Sequence, residues 1–383
     1  MAEMLVLAVL LLALNMRTVI ASLPPLLAEV RADLGLSATV AGLLTTLPVV
    51  CFGALAFVTP RLTRRVPVER VLAACALLTA VSAGLRGIGT TPALFAGSLG
   101  AGVGVAIGQA ALPVLIRTAH AARAGLLTGV YSAGLPLGAT IAGFASVPLA
   151  DALGHSWAAS LAVWALPALL AFAVWAPAAF RGATRVTGPA PEPLRREPVA
   201  WWVAAYMGVQ SAAFYAGLAW LPEILQGHGS SATEAGALQA LASLVSIATA
   251  FAAPVVASRR PSQGRLVVVI AATAAIGVAG LLAAPGAAAL WVVLIGLGQG
   301  GSLGLALVFP VLRAAEPAAV ASLTAMSLGV GYLVASTGPW MLGAAHDLAG
   351  GWTAPLVVLL VLTVAQIVPG LPASRARTVH AAR

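Results

Sequence analysis

One arginine stands where charge is expensive. Arg17 lies near the middle of a long apolar run at the start of the chain, about a dozen residues from either end. An arginine at the centre of a bilayer costs roughly 2.5 kcal/mol or more, and this one is too deep to reach water easily. No Asp or Glu lies at a similar depth in any other apolar run. A guanidinium so placed requires an anion or a ring of carbonyls, and its planar fork of donors suits planar oxyanions. The expectation is that Arg17 binds a small anion or polar planar solute. The alternative is an arginine satisfied by backbone carbonyls and by neighbours such as Asn15.

Other polar and aromatic residues sit at comparable depth. Gln109 and Gln299 occupy corresponding places in the two halves of the chain, as do Tyr131 and Tyr332, approximately. Gln210, Phe214 and Tyr215 fall in the middle of another apolar run. Each alone could be an interhelical hydrogen bond worth under about 1 kcal/mol. Together with Arg17 and Asn15 they describe a small pocket with one positive charge, amide donors and aromatic walls. Glu29 and Glu223 lie near the ends of their runs and are a candidate gate or proton site, the alternative being solvated helix-end carboxylates. Asp151 and Asp347 read as loop-capping groups, and Thr45, Thr46, Ser243 and Ser246 as packing residues that bond back to their own helices.

Enzymatic chemistry finds no such foothold. Cys51 and Cys75 sit in apolar runs and read as small core residues; no metal-ligand cluster and no nucleophile beside a base is visible. The close glycines Gly100, Gly102, Gly104 and Gly108, like Gly296, Gly298, Gly300, Gly301 and Gly304, lack a preceding strand and a following Lys-Ser/Thr, so they are not a phosphate loop. They read as close-packing helix faces. Neither a cofactor nor a metal is expected.

The elements that must hold these residues follow from composition. Of 383 residues 61% are hydrophobic and 8% charged, where a soluble chain carries about a quarter charged. Twelve runs are long enough to cross a bilayer: 4–29, 39–61, 68–88, 91–116, 123–149, 157–179, 199–225, 234–257, 265–284, 288–312, 318–345 and 353–371. The runs are continuous rather than alternating, which excludes a barrel. With the N-terminus in the cytoplasm, Arg31 and Arg86 alone fall outside and the remaining loop and tail arginines fall inside. This is the positive-inside pattern, with both termini cytoplasmic. It also explains the net charge of +9 without nucleic acid, because the arginines are spread over every inner loop.

The chain repeats itself. Ser37-Ala38-Thr39-Val40-Ala41-Gly42 returns as Ser231-Ala232-Thr233-Glu234-Ala235-Gly236, and Glu29, Phe57, Pro60, Arg65 and Pro67 return as Glu223, Phe251, Pro254, Arg259 and Pro261. Pro113-Val114-Leu115 matches Pro310-Val311-Leu312, Arg117 matches Arg313, and Asp151 matches Asp347. The expected organisation is an N-terminal six-helix bundle over 1–180, a Pro- and Arg-rich cytoplasmic linker over 181–198, and a C-terminal six-helix bundle with a short tail over 199–383.

Several stretches resemble the cyanate and 2-nitroimidazole permeases of the major facilitator superfamily: Leu14-Asn15-Met16-Arg17, Leu34-Gly35-Leu36-Ser37, Ala41-Gly42-Leu43-Leu44-Thr45-Thr46-Leu47-Pro48, Phe214-Tyr215-Ala216-Gly217-Leu218-Ala219-Trp220-Leu221-Pro222, Gly296-Leu297-Gly298-Gln299-Gly300-Gly301, Gly331-Tyr332-Leu333, Gly338-Pro339, His346-Asp347 and Gly351-Trp352-Thr353. Thr59-Pro60-Arg61-Leu62-Thr63-Arg64-Arg65 keeps the basic part of that superfamily's loop after helix 2 but lacks its Asp, and Gln109 stands where members of this branch often carry Asn. The resemblance implies an all-α membrane protein of twelve helices in two pseudo-symmetric bundles, a substrate site near mid-membrane between them, and transport by alternating access. It implies a small-molecule or anion substrate in the cell (inner) membrane, a monomer, and a gradient as energy source, with a proton as one candidate coupling ion. Export of neutral aromatic compounds such as 2-nitroimidazole is the alternative. A sensor is disfavoured because neither tail is long enough for a signalling domain.

Overall fold

In the computed structural model, residues 2–181, 184–185 and 194–379 are described. Much of the expected 181–198 linker, together with His380 and Arg383, lies outside them. Helices account for nearly all of the described residues, and the only β pairing among them is an isolated parallel bridge between Ala314 and Val379.

The helices are α1 (Ala2–Ala21), α2 (Leu27–Leu34), α3 (Ala38–Ala56), α4 (Thr59–Arg65), α5 (Val68–Arg86), α6 (Thr91–Ala119), α7 (Ala124–Ala152), α8 (Trp157–Val163) and α9 (Ala165–Arg181). They continue as α10 (Pro198–Gly227), α11 (Ala232–Ser258), α12 (Gly264–Ala283), α13 (Ala288–Arg313), α14 (Pro317–Ala335), α15 (Thr337–Ala349), α16 (Thr353–Ala365) and α17 (Ile367–Ala373). Among the described residues, 11 helical stretches are long and apolar enough to cross a membrane. Helix α10, 30 residues long, is not among these 11. Trp201, Trp202, Tyr206, Gln210, Ser211, Tyr215 and Trp220 make it the most polar and aromatic of the set, and most of its side chains are buried.

Five of the expected spans are interrupted, the second at the turn of Phe57 and Val58 between α3 and α4. The first breaks after Ala21, where Pro24 and Pro25 cannot donate to the preceding turn and a short 3-10 turn leads into α2. The sixth breaks at Trp164, the eleventh at Ser336 and the twelfth at Gln366. Proline alone does not break a helix here: α10 runs through Pro222 and α13 through Pro310. Neighbouring helices satisfy the freed groups in a membrane bundle.

The chain forms two compact units, one of Met1–Leu36 with Val50–Ala190, the other of Ser37–Val49 with Pro191–Arg383. Small residues set the packing inside each. In the first, a Cβ at Gly104 would stand 3.0 Å from the Cys75 carbonyl of α5, and one at Gly134 would stand 2.8 Å from the Ala13 side chain of α1. In the second, a Cβ at Gly296 would meet the Ala242 carbonyl at 2.5 Å and one at Gly304 the Ala250 carbonyl at 2.7 Å, so α13 lies directly on α11. Gly298 faces the other way and meets the Ala274 backbone of α12 at 2.6 Å. Without a hydrophobic driving force between helices in lipid, such close approach supplies the dispersion contacts that hold the bundle.

Candidate functional site

In the first unit, α1 presents different groups on different sides. At 3.6 residues per turn, Arg17 lies within roughly 60° of Leu10, Ala13 and Leu14, and roughly 160° from Asn15. Gly134 packs on Leu10 and Ala13, and Gly138 on the Leu14 backbone, so that side faces α7. Arg17 continues it one turn further along and is half-buried. Asn15 points the other way, toward α9. It is buried, and its amide donates to the Leu11 carbonyl at 2.7 Å and the Pro167 carbonyl at 3.0 Å. Its observed contacts are those of a staple between two helices.

Gln109 and Tyr131 come together. The Tyr131 hydroxyl donates to the Gln109 backbone carbonyl at 3.5 Å. The side-chain Oε1 of Gln109 is buried and has no hydrogen-bond partner among the described residues. Next to Gln109, Gly108 faces the Met16 side chain, with an added Cβ 2.7 Å from Met16 Cε. The turn of α6 carrying Gln109 is thereby held against the turn of α1 carrying Arg17.

In the second unit, three aromatic rings form a chain. Phe214 meets Tyr215 edge-on at 5.1 Å between centroids, and Tyr215 meets Tyr332 of α14 at 6.2 Å. Gln299 of α13 reaches α10, its amide donating to the Ala213 carbonyl at 3.5 Å. Gly217, one turn on, leaves it room: a Cβ there would stand 3.1 Å from the Gln299 amide nitrogen. Gln210 is buried and turned onto its own helix, donating to Ser211 Oγ at 2.6 Å, while its Oε1 lacks a partner among the described residues. Sequence reading passed over Gln239 of α11, also buried with an unpartnered Oε1. An amide in an apolar run was the signal that could have found it.

The two glutamates related by the repeat part company. Glu29 is exposed on α2 and lines an open hollow with Asp33, His155 and Trp157, where Trp157 Nε1 donates to Asp33 at 2.9 Å. Glu223 is buried in the uninterrupted α10. The broken first span swings Glu29 out, whereas α10 carries Glu223 straight through Pro222.

Two arginines read as loop or helix-end charges prove to be buried. Arg86 is 2% exposed and donates to the Val19 carbonyl, just before the break in the first span. Arg313 is 3% exposed and donates to the Ala373 and Ser374 carbonyls, each at 2.8 Å, and to Gln263. Each occupies itself with carbonyls at helix ends, where a cation also meets the negative end of the helix dipole. Among the described residues no group of His, Cys, Asp and Glu could hold a metal ion.

The chain matches the Major Facilitator Superfamily over residues 5–339. It is 34% identical to the uncharacterized transporter YycB of Bacillus subtilis, over 97% of this chain and 94% of that one. It is 32% identical to the 2-nitroimidazole transporter of Escherichia coli over 98% and 96%, and 34% identical to the cyanate transport protein CynX of the same organism over 90% and 91%. Among solved structures, a bacterial homologue of the human lysosomal transporter Spinster superposes with a TM-score of 0.79 over 97% of this chain and 96% of that one, at 15% identity. With 11 stretches among the described residues long and apolar enough to cross a membrane, that match and relatives named as transporters over most of their length, the chain is a multi-pass membrane transporter belonging to the Major Facilitator Superfamily.

Proposed function

We propose that this transporter moves a small planar anion or strongly polar planar solute across the cytoplasmic membrane by alternating access, and that Arg17 binds the substrate's charge. The observation that carries the reading is the placement of Arg17: half-buried in the middle of a span, on the opposite side of α1 from the Asn15 staple. The guanidinium fork matches an oxyanion or a cyanate-like ion, and the relative named for cyanate transport is 34% identical to this chain over 91% of its length. Gln109, with its unpartnered Oε1, and Tyr131 are the proposed neighbours within the first unit. Within the second unit, Phe214, Tyr215, Tyr332 and Gln299 are a further set of proposed contacts. Asn15 and Gln210 are assigned to packing. The working division is two six-helix halves, 1–180 and 199–383, joined by the 181–198 linker and acting as a monomer. The arginine asymmetry orients both termini to the cytoplasm.

Coupling to a proton is the version of the mechanism that the buried Glu223 favours over the exposed Glu29. A second reading is export of neutral nitroaromatics. The aromatic chain Phe214–Tyr215–Tyr332 favours it, because stacking needs no charge on the ligand. A thermal-shift screen of cyanate, nitrate, small carboxylates and 2-nitroimidazole on wild type and Arg17→Gln separates the two. Anion stabilisation lost in the variant supports the first; stabilisation by 2-nitroimidazole alone, kept in the variant, replaces it with the second.

A further inference from the structure

We propose that Ser37–Val49 is a latch held by Asp347, and that Asp347 must release it each time the transporter opens on that face. The proposal rests on the alternating-access reading above.

Helix α3 begins at Ala38, and its first N–H groups need acceptors. One is local: Ser37 Oγ accepts from the Val40 amide at 3.3 Å. Its repeat counterpart Ser231 does the same for Glu234 at 3.1 Å at the start of α11. At α3 a second cap is added from a residue 309 positions away. Asp347 Oδ1 accepts from the Ala38 amide at 2.9 Å, and Oδ2 accepts from the Thr39 amide at 2.7 Å and the Thr39 hydroxyl at 2.5 Å. Asp347 and its repeat counterpart each lie near a histidine, His346 at 3.7 Å and, for Asp151, His155 at 3.2 Å, but the helix-start bonds are those of Asp347. A carboxylate is therefore not required to start a helix in this repeat. Its effect at α3 is to tie the start of that helix to the end of α15.

The packing beneath the tie is correspondingly close. A Cβ at Gly42 would stand 2.9 Å from the Pro339 carbonyl, and one at Gly343 would strike the Ala38 carbonyl. Thr46 donates to the Ser336 carbonyl at 3.0 Å, at the break between α14 and α15. The division between compact units then falls inside α3, after Val49 and next to Pro48, whose missing N–H removes one helical hydrogen bond. One continuous helix is thus shared, with a weakened turn where its allegiance changes. Any movement that separates the two parts of α3 must bend it at Pro48 or strip Ser37–Val49 from α15. The Asp347 side chain is 28% exposed, so water can replace the helix amides when it lets go.

The test uses the full-length protein in right-side-out membrane vesicles, with the buried Cys51 and Cys75 replaced by alanine. Ser336→Cys is the reporter, because Ser336 is 7% exposed beneath the latch. A membrane-impermeant thiol reagent is added from outside. Asp347→Asn is expected to raise the labelling rate about tenfold, equal to about 1.4 kcal/mol. Thr39→Val, which removes the hydroxyl bond and keeps the carboxylate with both backbone amide bonds, is expected to raise it two- to fivefold. Labelling as slow in both variants as in the parent overturns the latch, as does a parent already labelled at the variants' rate. The readout needs no substrate. A parent that labels as expected but transports neither cyanate nor 2-nitroimidazole counts against the proposed substrates and leaves the latch standing.

Discussion

Replacing Arg17 by glutamine gives the sharpest consequence. A forked guanidinium–oxyanion contact contains two charge-assisted hydrogen bonds, each worth about 1.5–3 kcal/mol. Arg17 is half-buried rather than sealed, so the lower end applies. The loss is then about 3 kcal/mol, or roughly 150-fold in Kd. At an anion concentration a hundredfold above the wild-type Kd, binding stabilises the wild type by about 2.7 kcal/mol and the variant by roughly 0.3 kcal/mol. At about 2 °C per kcal/mol, the ligand-induced rise in Tm falls from roughly 5 °C to under 1 °C. Differential scanning fluorimetry in detergent reads this rise in both proteins. An equal anion-induced rise in both proteins refutes the reasoning and makes Arg17 structural.

Asn15→Leu should lower Tm by about 2 °C, the cost of about 1 kcal/mol for amide bonds to Leu11 and Pro167, while leaving anion affinity unchanged; a lost affinity would return Asn15 to the binding site. Gly300→Val should be among the most damaging single changes, at about 3 kcal/mol or more, because its side chain would enter the Ser246 backbone; normal yield and Tm from membranes would contradict the packing described. Tyr215→Ala should weaken 2-nitroimidazole binding three- to tenfold, matching the roughly 0.5–1.5 kcal/mol of one ring contact, and a titration showing no change would remove the aromatic chain from the site. Glu223→Gln should abolish any acceleration of uptake by an inward proton gradient, and acceleration equal to wild type would exclude Glu223 as the proton carrier.

The spans were legible because bilayer thickness imposes a length of apolar residues that few other structures require. The breaks were not. The runs 4–29 and 318–345 read as single helices, yet they part after Ala21 and at Ser336, because hydropathy is blind to a turn whose flanking pieces remain stacked. Proline was an ambiguous guide: Pro24-Pro25 ends a helix and Pro222 does not. The glycine faces were readable from spacing alone and match the close contacts of Gly296, Gly300 and Gly304 with α11. Side-chain direction was only partly readable. Asn15 and Arg17 are two residues apart and were grouped together, though helical periodicity already places them on nearly opposite sides. From sequence Asp347 reads as a loop cap; it does cap, but at a helix start 309 residues away. From sequence Arg86 and Arg313 read as loop or helix-end charges, since positional rules count charges without seeing which carbonyls a helix end leaves open.

The central claim is that Arg17 carries the charge of a transported planar anion. Counterflow of labelled cyanate into cyanate-loaded proteoliposomes tests it most directly, with wild type, Arg17→Gln and Arg17→Lys prepared in parallel. The account predicts saturable counterflow in wild type, a reduced rate with lysine, which keeps the charge without the fork, and none above empty liposomes with glutamine. Wild-type and glutamine proteins exchanging cyanate at equal rates, or exchanging only 2-nitroimidazole, would contradict it.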